Sequence, residues 1–465
     1  MRDTVVRFAV FRILFGLVLL ADVWHVFAHQ GLFGYPRPSI LLILPLGVTL
    51  FAWSVVLICL IVGWRTRAAC VVNYLFTAAM LGQNTTLSQT AGDSIMISLS
   101  LFAALLPCGA ALSLDRRAGR IQKPAVGYVE FLALPVYLST VYWDSAFHKL
   151  ASPLWRAGLG IVSPASLPSL VWRDMSMMEA FSPTALQSMS WAVIVFELAF
   201  PLLWAWSRTR GFAVLAALAM HVGIAVVYPM PAFSGVMIAA LSACLPASWY
   251  GGSSEEGNLP TARHRRASLA VATGWLLITA LATLSGFSYP ARAIWTFGGL
   301  DRYVFAATGI GQHAVFSDSL FHGYEYQIRI RLHDGTTLPY GNDNLLPIWA
   351  RDRLWEDWWK RGQGPWVRIS ATEKRLVTWA THFAESDRSQ AAVIEWRPQR
   401  VPLNNPDSAA FRDNNAISWR QLGHVDSQRV YWDRAPLDGD TLGKYMLRLK
   451  KSDDTGDRGN ASGPP

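Results

Sequence analysis

The chain has 465 residues, 52% of them hydrophobic and only 16% charged, with a mean hydropathy of +0.24. It is too apolar for an ordinary water-soluble enzyme and too charged to lie wholly within a bilayer, so a membrane part and an aqueous part are expected. The net charge of +9 is no nucleic-acid footprint, because much of the excess lies in short loops between apolar runs, where it orients spans.

Apolar runs of membrane length fall near residues 7–28, 41–63, 68–83, 93–112, 126–148, 190–206, 212–229, 232–249 and 267–287, about nine in all. The first lacks a small-residue cleavage site and reads as a retained helix. Basic residues gather in alternate loops: Arg2 and Arg7; Arg65 and Arg67; Arg116, Arg117, Arg120 and Lys123; Arg208 and Arg210; Arg263, Arg265 and Arg266. The intervening loops 30–40, 83–93 and 229–231 are nearly free of them. That alternation predicts a cytoplasmic N-terminus, an odd number of spans and an exported C-terminal part. Asn84-Thr85-Thr86 matches a glycosylation sequon, without meaning in a bacterial inner membrane, the location expected here.

From about Tyr289 the character changes. Residues 324–333 alternate, with Tyr326, Ile328, Ile330 and Leu332 on one face and Gln327, Arg329 and Arg331 on the other. Asp334-Gly335 supplies a turn, and residues 336–340 a returning strand. Residues 391–396 and 444–449 are further strand predictions; residues 354–361 and 370–383 are predicted helices, the second opened by a capping box. The Trp-rich character of this part fits core packing, with a peptide or glycan grip as the sharper reading. The expected architecture is a polytopic α-helical membrane protein of about nine transmembrane helices with a C-terminal extracytoplasmic α+β domain. Residues 1–288 form the first part, 289–451 the second, and 452–465 a disordered tail.

One stretch organises the chain: Val141-Tyr142-Trp143-Asp144-Ser145-Ala146-Phe147-His148-Lys149-Leu150, followed by Trp155 and Gly158. It closes the fifth apolar run on its outer side. An acid, an imidazole and an amine crowd into two turns where lipid-facing sequence carries none, and ionisable groups at that depth usually face an interior or a cavity. Asp144 and His148 share a helix face, with Lys149 about 100° further round. The four cysteines, Cys59, Cys70, Cys108 and Cys244, indicate no disulfide framework. Asp22, His25 and His29 have metal-ligand spacing, but they sit at an interface with no further strong ligand, so no metal is expected. No phosphate loop, Ser-His-Asp order or transporter-like repeat is visible.

Tyr-Trp-Asp-Ser-Ala-Phe-His-Lys-Leu followed by Trp-Arg-Ala-Gly resembles the signature of the HTTM membrane domain, the family of vitamin K-dependent gamma-carboxylase and many bacterial relatives. Phe11-Arg12-Ile13-Leu14-Phe15-Gly16 is similar to that family's opening helix, and Gly92-Asp93 through Leu112-Ser113-Leu114-Asp115 to its third and fourth spans. Glu197, Pro201, His221-Val222-Gly223-Ile224-Ala225 and Phe233-Ser234 resemble its later helices. The resemblance covers about residues 1–290. It implies that Lys149 is the base that deprotonates reduced vitamin K or another quinol, with His221 beside it. This chain departs from the carboxylase in having His148 where a second lysine stands, an added residue between Lys149 and Trp155, and Asp144 in an apolar position.

Each sharp reading has a plainer one beside it. Lys149 is either a base in an outer-leaflet pocket or a residue snorkelling to the interface. His148 with Asp144 is an oriented acid–base pair or a lock on the helix. His221 is a site residue or a hydrogen-bonded packing residue, and Glu197 pairs with His221 or Lys149 or braces a helix contact. The expected site is therefore Lys149, His221 and His148, supported by Asp144, Tyr142 and Glu197. Its expected role is a membrane enzyme modifying or maturing a peptide or small molecule at the outer face, in contact with lipid and not nucleic acid. The alternative is a non-catalytic protein that assembles partners through the exported domain. Convergence of Lys149 and His221 on one lipid-accessible cavity separates the two.

Overall fold

The computed structural model describes residues 2–28, 44–82, 91–121, 128–165, 171, 178, 180–228, 230–250, 262–311, 324–332, 334–339, 392–400, 420–425 and 430–432. The helices run in the order α1 (Arg2–Ala28), α2 (Leu46–Val62), α3 (Thr66–Thr77, continued by a π-helical turn Ala78–Gly82), α4 (Ala91–Leu105) and α5 (Leu114–Arg117). Then come α6 (Tyr128–Ala151), α7 (Pro153–Arg156), α8 (Val162–Ala165), α9 (Pro183–Ala205), α10 (Arg210–Val227) and α11 (Pro231–Ser242). The last are α12 (Ala262–Ser285), α13 (Tyr289–Thr296) and α14 (Leu300–Thr308). Each apolar run read from the sequence contains a helix, but α3 and α11 have only 12 residues each and α4 ends at Leu105, short of the runs they fall in.

Helices α9 and α10 are long and apolar enough to cross a membrane, by length and composition. Helices α2, α4, α11 and residues 273–285 of α12 are apolar but shorter. Helices α1 and α6, of 27 and 24 residues, have the length, but charged side chains lower their hydropathy. Those charges point inward. Arg7, Arg12, Asp22, Asp93, Asp144, Lys149, Glu197 and His221 are buried, whereas Val195, Leu202, Phe212, Leu215, Val222 and Leu277 are exposed.

Polar groups hold the bundle at one end. Arg12 of α1 is fully buried and donates from Nη1 to the Cys108 carbonyl at 2.9 Å and from Nη2 to those of Leu112 at 2.5 Å and Ile61 at 3.4 Å. The α2–α3 turn needs Gly63, which has φ of 71° and stands where a Cβ would strike Ser113. Asp115 accepts from the backbone N–H groups of Arg65 (3.0 Å) and Thr66 (2.6 Å) and from the Thr66 hydroxyl (2.8 Å). It thus caps α3 from across the chain, answering donors that the start of a helix leaves unpaired. The Leu-Ser-Leu-Asp segment is therefore a structural clasp.

Burial pushes the Asp115 carboxyl up, but the Thr66 backbone and hydroxyl, the Arg65 N–H and Arg120 together hold it below the usual carboxylate range. A carboxyl lowered in the folded state contributes stability above its unfolded pKa and loses it as pH falls through the folded value. Wild-type thermal stability is thus expected to drop more steeply than that of Asp115→Asn below about pH 4. The variant is expected to start about 1–2 kcal/mol lower at neutral pH. Unfolding curves of both proteins across that range check this.

Within the bundle, Trp53 donates to Asn73 at 2.9 Å, and Asn73 donates to Ser100 at 3.1 Å, tying α2, α3 and α4 together. At the opposite end from the clasp, α14 packs on the end of α3 and the start of α4. Tyr74 Oη donates to the Ala307 carbonyl and Ser98 Oγ to that of Thr308, both at 2.6 Å.

The C-terminal part contains an antiparallel five-stranded sheet of order β2-β1-β3-β4-β5. Its strands are β1 (Tyr324–Arg331), β2 (Thr337–Pro339), β3 (Ala392–Arg400), β4 (Arg420–Val425) and β5 (Val430–Trp432). Strands β1, β2 and β3 fall where alternation places them, although β3 runs on to Arg400. The β1–β2 turn is closed by Asp334, whose Oδ1 accepts from Thr336 N at 2.8 Å, with Gly335 at φ of 86°. Arg329 and Arg331 both bind Glu395 across the strands, at 2.7 and 3.0 Å, while Ile330 and Ile394 are buried. The predicted helices 354–361 and 370–383, the strand 444–449, the sequon 84–86, His29 and the tail 452–465 lie outside the described residues.

Candidate functional site

A cavity of about 350 Å³ lies among α6, α9, α10, α11 and the segment after α7. Its volume is in the range of small-molecule sites. Tyr142, Ser145 and Lys149 stand at i, i+3 and i+7 on α6, so one face presents all three. Glu197 comes from α9 and His221 from α10; Phe233 and Met237 of α11 close the far side. The rest of the wall is apolar and rich in methionine: Met178, Met189, Met220 and Met230 line it as well.

Two polar pairs face this apolar space. Lys149 Nζ donates to Glu197 Oε1 at 2.5 Å and to Ser145 Oγ at 2.7 Å. Its ammonium also stands 5.0 Å from the ring centre of Trp155, against the π face. On the other side, Tyr142 Oη and His221 Nε2 lie 3.1 Å apart. Glu197 Oε2 and His221 Nδ1 are buried and have no hydrogen-bond partner among the described residues. Buried polar atoms are normally satisfied, so one atom of each pair is left with room for a further partner.

Side chains of α9 hold the loop after α7 by its backbone. Ser190 Oγ donates to the Gly158 carbonyl at 2.9 Å and accepts from Ile161 N at 3.2 Å; Gln187 Nε2 donates to the Ala157 carbonyl at 3.1 Å. Gly158 has φ of 79° and lies against Gln187, and Gly160 lies flat against the Trp155 ring, where a Cβ would overlap it. Ser152 caps α7 and accepts from Trp155 N at 3.1 Å. The spacing Lys149, Trp155, Gly158 is thus the length of chain needed to fold the Trp back over the lysine.

The structure brings together Lys149, Glu197, Tyr142 and His221. It does not bring His148 or Asp144 to the cavity. His148 Nδ1 bonds the Asp144 carbonyl at 2.9 Å, lies 3.5 Å from Asp144 Oδ1, and its ring sits 4.8 Å from that of Phe287 after α12. One residue of helix rotation turns His148 toward α12 and Lys149 toward α9. Glu197 pairs with Lys149, not with His221. Sequence reasoning did not single out Ser145, although its place four residues before Lys149 was the available signal. Gly223 was named only within the His221–Ala225 motif; it lines the cavity and is exposed, with open space where a Cβ would stand. His25 Nδ1 bonds the Ala21 carbonyl at 2.6 Å, and the described residues contain no group of three or more side chains placed to hold a metal.

No curated protein and no solved structure matches the chain. The model of the HTTM domain matches residues 3–249, a stretch that takes in α1 to α11, both polar pairs and the whole wall of the cavity. With more than half of its length so matched, the chain belongs to the HTTM domain family.

Proposed function

We propose that this chain is a polytopic membrane enzyme with nine spans, a cytoplasmic N-terminus and an exported α+β domain, and that the cavity is its active site. The convergence of Lys149–Glu197 and Tyr142–His221 on one apolar cavity carries this reading. The cavity reaches the exposed surface between α9 and α10 at Met189 and Gly223, so a ligand dissolved in the bilayer enters sideways.

The wall fits a quinol such as reduced vitamin K: a methionine-rich apolar surface for a ring and tail, and two orphan polar atoms for hydroxyl groups. When bound, that group supplies an acidic aromatic hydroxyl. The protein's part is to place a base. Lys149 and Glu197 form a pair with no net charge, whose two neutral forms differ in the position of one proton between Nζ and Oε1. With the proton on Glu197, the free Lys149 amine takes a hydroxyl proton from the ligand and is left as an ammonium. Ser145 and the Trp155 face hold that ammonium in place. Tyr142 orients the His221 ring, which leaves Nδ1 to bind the ligand's second polar group. His148 with Asp144 locks α6 against α12 and stays outside the chemistry.

A non-catalytic reading draws on the same pair, because a lysine held by Glu197 and Ser145 also serves as a cross-brace between α6 and α9. Turnover of reduced vitamin K with oxygen, followed by epoxide formation, separates the two readings.

A further inference from the structure

Helices α13 and α14 form a hairpin with two unlike faces. The inner face packs on the bundle: Trp295 and Ile310 are buried with Ala282 of α12. Arg292 ties the hairpin to the end of α12, donating from Nε to the Ser285 carbonyl at 3.0 Å and from Nη2 to that of Gly286 at 3.2 Å. Alongside the Tyr74 and Ser98 bonds, Gly82 approaches so closely that a Cβ there would stand 2.7 Å from the Ala306 carbonyl oxygen. Gly309 lies directly on the Ser94 carbonyl. These contacts fix the hairpin across the ends of α12, α3 and α4.

The outer face is apolar and uncovered. Phe297 is 82% exposed, Tyr289 81% and Tyr303 74%, with Ile294 and Leu300 exposed beside them. Phe297 sits at the tip, in a turn made by Gly298 and Gly299 at φ of 59° and 80°. The helices it is tied to also expose apolar side chains, Leu277 and Leu284 on α12 and Val71 and Leu75 on α3. Tyrosines, a phenylalanine tip and the exposed Arg302 are the composition of a helix lying at a headgroup boundary.

We propose that the α13–α14 hairpin is a membrane-interface anchor, lying in the plane of the outer leaflet with Phe297 among the acyl chains. The occupant of its outer face is lipid, because the hairpin is tied by hydrogen bonds to α3 and α12, whose exposed side chains are apolar as well. The chain thus leaves the membrane twice: at the end of α12, and again after a stapled surface hairpin that sets where the sheet-bearing part begins. This rests on the reading of the chain as a membrane protein.

The test is spin labelling of the full chain in lipid nanodiscs, with single cysteines at Phe297, Tyr303 and, as a reference on α9, Val195. Wild-type protein is the blank; of its four native cysteines, Cys70, Cys108 and Cys244 are buried and Cys59 is half-buried. Labels at 297 and 303 are expected to be relaxed by oxygen more than by a water-soluble nickel complex, as at 195. Nickel access at 297 and 303 with oxygen preference at 195 would overturn the anchor and leave the membrane reading intact. Nickel access at all three would overturn both. Protection from both reagents at 297 also overturns it; spin–spin broadening lost at one protein per disc would then assign the face to a second copy.

Discussion

Glu197→Ala is expected to destabilise the protein by about 3–5 kcal/mol, because it leaves the buried Lys149 ammonium without its carboxylate. Lys149→Ala is expected to cost a similar amount by stranding Glu197. The double variant Lys149→Met/Glu197→Gln removes both charges at nearly constant volume, so it should recover most of that loss. Unfolding in detergent of Lys149→Met, Glu197→Gln and the double variant forms a cycle, and additive losses would contradict a direct buried pair. The cycle also separates stability from chemistry, since the double variant is expected to fold while lacking the Lys149 amine.

Arg12→Met is expected to cost about 3–4 kcal/mol. The guanidinium binds three carbonyls, that of Ile61 in the last turn of α2 and those of Cys108 and Leu112 in the segment between α4 and α5. Leu112 has φ of 46°, a left-handed value that its side chain disfavours, and the bond to Arg12 is what holds it there. Arg12→Lys restores the charge but not the fork, so it should recover only part of the loss. Equal stability of Arg12→Met and wild type, measured by thermal unfolding, would show that the clasp does not depend on this residue.

Much of the helical part was legible because long apolar runs have few alternatives, and each run contains a helix, though not always over its whole length. The strand pairing of residues 324–339 was legible for a similar reason: period-two alternation ending on Asp334-Gly335 admits a hairpin and little else. The site was legible as a set of residues but not as a geometry. Lys149 stood out because an amine at the end of an apolar helix is costly without a partner, yet the sequence left that partner open between helices. Only packing shows that Glu197 answers Lys149 and that His221 answers Tyr142. The neighbour His148 pointed to the same site by proximity in sequence, whereas helix rotation sends it to Phe287. The Leu112–Asp115 segment resembled a family motif with no evident purpose, and the Arg12 and Asp115 contacts supply one.

Epoxide formation from reduced vitamin K and oxygen, by purified wild-type protein and by folded Lys149→Met/Glu197→Gln in lipid, decides whether Lys149 acts as a base. Product is expected from wild type and none above background from the double variant. Equal product from the two, or none from wild type, would contradict a base at Lys149 acting on a quinol in this cavity.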